Sequence, residues 1–146
     1  MKISNDQFKI DDKSILNYYE IKSNKPKLLL LHAQGTNSLS FMSVINKLSK
    51  YFHIYLVDYY GHGKSSFNRE KYNLIDIGND IIKFIEEVIK DNVSVLGHSS
   101  GGLIASYIAS NCELCSGLIL EDPPFFASVG DRRFNTYNYV DLSTAC

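Results

Sequence analysis

Short unbroken apolar runs alternate along this chain with stretches of helical period. Leu28-Leu29-Leu30-Leu31, Ile54-Tyr55-Leu56-Val57, Val93-Ser94-Val95-Leu96 and Gly117-Leu118-Ile119-Leu120 are each bounded by turn-forming or charged residues. Runs of this kind, without polar–apolar alternation, suit strands buried on both faces. Between them, Phe41, Val44, Ile45, Leu48 and Phe52 recur at helical spacing, as do Ile77, Ile81, Phe84, Ile85, Val88 and Ile89. A third helix-competent run, Leu103 to Ala109, precedes the last strand, which Pro123-Pro124 stops. Upstream, Phe8-Lys9-Ile10 and Ser14 to Lys22 read as two strands around the turn Asp11-Asp12-Lys13. A hairpin followed by strand–helix repeats predicts an α/β fold. Its sheet is mostly parallel, with an N-terminal antiparallel hairpin and helices on both faces. Residues 1–127 carry the readable pattern. Residues 128–146 are mixed and polar, without a clear period.

Composition narrows the class of partner. At 146 residues, with 45% hydrophobic and 21% charged residues, the chain fits one globular domain with a real core. The net charge of -1, with lysines dispersed, gives no footprint for nucleic acid or an anionic membrane. No apolar run approaches the roughly 20 residues of a membrane span. The start, Met1-Lys2-Ile3-Ser4-Asn5-Asp6, has no signal-peptide core, so a cytoplasmic location is expected. Three cysteines, Cys112, Cys115 and Cys146, do not make a disulfide framework. Cys112-x-x-Cys115 reads as two small residues between a helix and a strand, because no second Cys/His pair follows to complete a metal site.

The chemistry lies in three loops that follow three buried strands: His32-Ala33-Gln34-Gly35, Asp58 to Ser65, and Gly97-His98-Ser99-Ser100-Gly101. In a parallel sheet, loops at the carboxyl ends of the strands gather on one edge, where ligands bind. A Gly-x-Ser-x-Gly between strand and helix lifts the serine hydroxyl out of a tight turn, and the glycines allow close helix–strand approach. The alternative for Ser99 is a helix-capping serine. Asp58 is expected to tie the loop Tyr59 to Ser65 by side-chain-to-backbone bonds. His53 carries no signal, and Arg132-Arg133 reads as a solvated pair.

With these three ordered motifs, the chain resembles the alpha/beta-hydrolase superfamily over roughly residues 8–126. Ala33 stands where the family usually has glycine. The resemblance implies that Ser99 is the nucleophile for an ester or similar acyl substrate, and that no cofactor or metal is needed. The implied oxyanion donors are the backbone N–H groups of Ser100 and Gln34. His62 is expected to stabilise its loop, His32 to pack or hydrogen-bond under the Gln34 loop, and His98 to pack.

The family's triad runs serine, acid, histidine, yet all four histidines, His32, His53, His62 and His98, precede Ser99. Some family members place the acid after the strand that follows the serine helix, where Glu121 and Asp122 stand. Asp122 is thus an alternative acid, against the plainer reading of a polar strand end. The expectation is therefore a truncated alpha/beta-hydrolase fold: a core over 1–127, and a lid start or disordered tail over 128–146. Such a chain is expected to be inactive alone and prone to self-association through an exposed edge strand at Gly117 to Leu120. The alternative function is a non-catalytic ligand- or partner-binding remnant of the same fold.

Overall fold

A computed structural model describes residues 2–125. Six strands, β1 (Ser4–Lys9), β2 (Ile15–Ile21), β3 (Lys27–Leu31), β4 (His53–Asp58), β5 (Val93–His98) and β6 (Cys115–Glu121), form one sheet in the order β1-β2-β4-β3-β5-β6. β1 pairs with β2, and β2 with β4, antiparallel. The β4–β3, β3–β5 and β5–β6 pairs are parallel. The α/β class, the N-terminal hairpin and the mostly parallel sheet are as the pattern predicts.

The apolar runs are unbroken because each buried strand feeds two cores. On one face, Leu29, Leu31, Tyr55, Val57 and Val95 pack against α2 (Leu74–Phe84) and α3 (Ser100–Asn111). On the other, Leu28, Leu30, Ile54 and Leu56 meet Phe41 and Ile45 of a 3-10 turn (Ser38–Phe41) and α1 (Met42–Leu48). Helices therefore cover both faces. Phe84 lies at the centre of the first core, edge-on to Phe8, Tyr18 and Tyr55.

Some boundaries differ from the pattern. β1 begins at Ser4, four polar positions before Phe8. Its exposed Asn5 holds Asn17 of β2 through a 2.7 Å side-chain bond, so strand pairing rather than burial defines its start. The first helix is shorter than its apolar spacing implies: α1 ends at Leu48, Val44 is exposed, and Phe52 packs from beyond the helix. α2 starts on Asn73, whose side chain accepts the Asp76 N–H. It runs into a π-helical turn (Ile85–Ile89) closed by Lys90 in the left-handed region. Arg132-Arg133 and the 128–146 segment lie outside the described residues.

The parallel pairing levels the strand ends. Leu31 is opposite Val57 on one side and Gly97 on the other, and His98 is opposite Glu121. The segments that follow β3, β4, β5 and β6 thus leave from one edge. β1 and β6 are the outer strands among the described residues, and β6 leaves Leu118, Ile119 and Leu120 exposed.

Candidate active site

The turn between β5 and α3 is backbone-strained at one residue. Ser99 has φ 52° and ψ -119°, a backbone conformation that residues other than glycine rarely adopt. Its neighbours hold it there. The Ser99 N–H donates to the Glu121 carbonyl at 2.8 Å, and the Ser99 carbonyl accepts from the Gly102 N–H at 2.8 Å. The Ser99 hydroxyl makes no capping bond, which removes the reading of Ser99 as a helix-capping side chain.

Three glycines make the turn sterically feasible. A β-carbon on Gly97 would stand 2.2 Å from the Gly101 carbonyl oxygen, and one on Gly101 2.3 Å from that of Leu31. One on Gly102 would stand 2.9 Å from Cβ of Pro123. The sequence motif flagged the first two. The third reflects the Asp122–Pro123 turn, which packs over α3 from a distant part of the chain.

The loop after β3 is a tight turn. The Thr36 N–H and hydroxyl both donate to the Ala33 carbonyl, at 3.2 and 2.8 Å, and Gly35 has φ 73°. His32 beneath it is fully buried, donates from Nδ1 to the Ala33 carbonyl at 2.8 Å, and stacks on Tyr59 with ring centroids 4.1 Å apart. Burial drives its imidazole down to about 4, so it stays neutral near pH 7.

Asp58, at the end of β4, is a buried hub for the loop it opens. Its carboxylate accepts from the Ser38 N–H at 2.8 Å, the Lys64 N–H at 3.0 Å and the Asn17 amide at 3.1 Å. Gly63, at φ 55°, lies so close that a β-carbon would meet that carboxylate at 2.2 Å. The expected side-chain-to-backbone tie is present, and it also reaches the segment before α1.

These loops enclose a cleft of about 830 Å³, whose lining includes Gln34, Tyr59, His62, Ser100, Leu103 and Ile104. Gln34 and Ser100 therefore share one space, with Ser99 directly preceding Ser100. Asp122 does not line it: it is exposed, with φ 48°. Two contacts had no signal in the sequence. The Tyr59 and Ser100 hydroxyls are 3.0 Å apart, and burial pushes the Tyr59 phenol up to about 12, so it remains a donor. His62 Nε2 accepts the Gly35 N–H at 3.2 Å, linking two of the three loops. Both pairs join residues far apart in the chain, which linear spacing cannot reveal.

Away from the site, Cys112 ends α3 and Cys115 opens β6, both as free thiols. His53, which carries no signal in the sequence, is paired in the interior: Nε2 is 2.8 Å from the Glu20 carboxylate. Among the described residues no helix is long and apolar enough to cross a membrane.

A family model described as the alpha/beta hydrolase fold matches residues 26–142, and the chain belongs to that family. It is 34% identical over 109 residues to the pimeloyl-[acyl-carrier protein] methyl ester esterase of Photorhabdus laumondii, covering 71% of this chain and 39% of that one. An esterase from Exiguobacterium antarcticum superposes with a TM-score of 0.69 at 30% identity, over 75% of this chain and 42% of that one. A hydrolase from Pseudomonas aeruginosa PA01 shares the fold with a TM-score of 0.77 at 24% identity, over 82% and 46%. The chain spans less than half the length of these proteins.

Proposed function

We propose that this chain carries the nucleophile and oxyanion donors of an esterase-like hydrolase, with Ser99 as the attacking residue. The observation that carries the reading is the Ser99 backbone. It is a strained, non-glycine residue between a strand end and a helix start, with its hydroxyl left uncapped. Strain of this kind persists only where the surroundings enforce it, and here three close-packed glycines do so.

In this mechanism the Ser99 Oγ attacks the acyl carbon of a small ester. The carbonyl oxygen becomes an oxyanion facing the N–H groups of Ser100 and Gln34, and the positive end of α3 favours the same charge. The alkoxide then leaves with a proton, and water hydrolyses the acyl-enzyme. No step calls for a cofactor or metal. The esterase relatives support an ester as substrate, and the cleft beside Ser100 gives it a place.

A base is required to take the Ser99 proton, and no histidine follows Ser99 in these 146 residues. Three histidines stand at the loops, and His98 is half-buried at the end of β5, opposite Glu121 in the ladder. His62 Nε2 accepts the Gly35 N–H, and His32 is fully buried and held neutral. Asp122 keeps the place of an acid after β6, without a histidine partner among the described residues. The 146-residue polypeptide by itself is therefore a weak catalyst. Assay with an activated short-chain ester tests this: a rate close to that of Ser99→Ala supports it, and rapid turnover abolished by Ser99→Ala contradicts it. Tight binding of an uncleaved ester, unaffected by Ser99→Ala, favours the second reading, a ligand-binding remnant. Association through β6, whose apolar side chains are exposed, belongs to the same proposal.

A further inference from the structure

We infer that His62 is a positioning residue for the Gln34 loop, and that it acts only as the neutral Nδ1–H tautomer, so that its protonation releases the loop. The inference rests on the reading of the Gln34 N–H as an oxyanion donor and adds a control over it.

The tautomer follows from the two partners of the ring. Nδ1 faces the Tyr60 carbonyl at 3.3 Å, and a carbonyl can only accept, so Nδ1 carries the hydrogen. Nε2 faces the Gly35 N–H at 3.2 Å, and an N–H can only donate, so Nε2 presents its lone pair. A proton added at Nε2 would set two N–H groups against each other and break this link.

The link matters because, among the described residues, it is the one hydrogen bond that reaches residues 33–37 from a distant part of the chain, the next anchor being the Ser38 N–H on Asp58. Gln34 to Asn37 are exposed, and no atom outside the immediate neighbours lies within 4 Å of a β-carbon built on Gly35. The Thr36 bonds to Ala33 are internal to the turn. The His62 side chain is, by contrast, firmly seated. Its ring packs 4.4 Å from Tyr59 and 5.2 Å from His32 by centroid, and Tyr72 covers Gly61 beside it. One aromatic ring thus carries the geometry of the β4 loop across to the residue after Gln34.

Burial, not the neighbouring charges, is what favours the neutral ring. Near His62 are the Asp58 carboxylate from the end of β4, the His32 imidazole from the end of β3 and the Tyr59 ring, and Tyr72 shares the cleft lining with it. The cleft lining contributes no Asp, Glu, Lys or Arg. Burial lowers the His62 pKa, opposed in part by the Tyr60 carbonyl and Asp58. His32 can bear no charge until about pH 4, so it does not switch in the same range.

Nuclear magnetic resonance of the 146-residue chain from pH 8 to pH 4 tests this. The Gly35 and Gln34 amides are expected to shift with the same midpoint as the His62 ring, lowered from the ordinary 6.5 by burial, with Gly35 losing exchange protection as His62 charges. His62→Gln supplies a non-titrating acceptor: Gly35 keeps its protection at neutral pH, and the acid transition of both amides disappears. The inference is overturned if the two amides do not follow His62, or if the transition persists in His62→Gln. A second readout is phosphonylation of Ser99 at a fixed concentration of neutral imidazole. Its rate should fall at least about tenfold as His62 charges, and stay flat over that range in His62→Gln. A flat wild-type rate overturns the inference. If phosphonylation at Ser99 never occurs, the nucleophile reading fails, while the amide titration still decides the role of His62.

Discussion

Gly101 lies directly against Leu31: a β-carbon on Gly101 would stand 2.3 Å from the Leu31 carbonyl oxygen and 2.5 Å from that of His32. The first turn of α3 is thereby seated on the strand end from which the Gln34 loop departs. One steric contact sets the spacing between the serine turn and the loop that carries its proposed partner. Gly101→Ala must push backbone from backbone, and should cost about 3 kcal/mol or more in a urea denaturation series. Gly35→Ala, in open space but at φ 73°, should cost only about 1 kcal/mol from strain. Equal losses at the two positions would contradict this assignment of the contact.

Ser99 stores strain, and glycine would relieve it. Ser99→Gly should raise stability by about 1 kcal/mol, since the conformational gain exceeds the extra unfolded-chain entropy of glycine. The same substitution should remove any serine-dependent ester chemistry. A destabilised Ser99→Gly, measured by the same denaturation, would show that the hydroxyl supports the fold.

Asp58 illustrates a buried acceptor whose loss leaves donors stranded. Asp58→Ala would leave the Ser38 and Lys64 N–H groups and the Asn17 amide unpartnered, at a cost of about 3 kcal/mol or more. Asp58→Asn keeps an acceptor for one side of the hub and should cost less. Thermal denaturation of the two variants should rank them in that order.

Acid should weaken the fold through its buried histidines. Burial holds His32 at about 4, below its ordinary 6.5, and lowers His62 in the same direction. As pH falls below 6.5 the unfolded chain binds these protons and the folded chain does not, so stability present above pH 6.5 is lost progressively toward pH 4. For His32 alone the loss is about 3 kcal/mol. Urea midpoints at pH 7, 6 and 5 should decline steadily. A flat series would contradict the buried, neutral state of His32.

The parts of this molecule that follow a period or a local rule are legible in the chain itself. The four apolar runs announce a sheet buried on both faces, and Gly97 and Gly101 announce the turn at Ser99. What depends on pairing across the fold is not. Glu20 and His53 meet at 2.8 Å because β2 lies beside β4, although 33 residues separate them. The Tyr59–Ser100 hydroxyl pair and the His62–Gly35 link arise in the same way, from loops that converge only after the sheet forms. Local cues also mislead at element ends. Val44 has the spacing of a core residue but is exposed on α1, a helix of two turns that buries Ile45 instead.

Ser99 is proposed as a nucleophile, and no histidine follows it among these 146 residues. Imidazole added from solution can take the serine proton in place of a protein base. Incubating the chain with a fluorophosphonate, with and without imidazole, and reading intact mass and the modified residue by mass spectrometry tests the claim most directly. The expected result is a single adduct, on Ser99, that forms slowly alone, accelerates with imidazole and is absent in Ser99→Ala. Rapid labelling without imidazole, labelling at a different residue, or no adduct under either condition would contradict it.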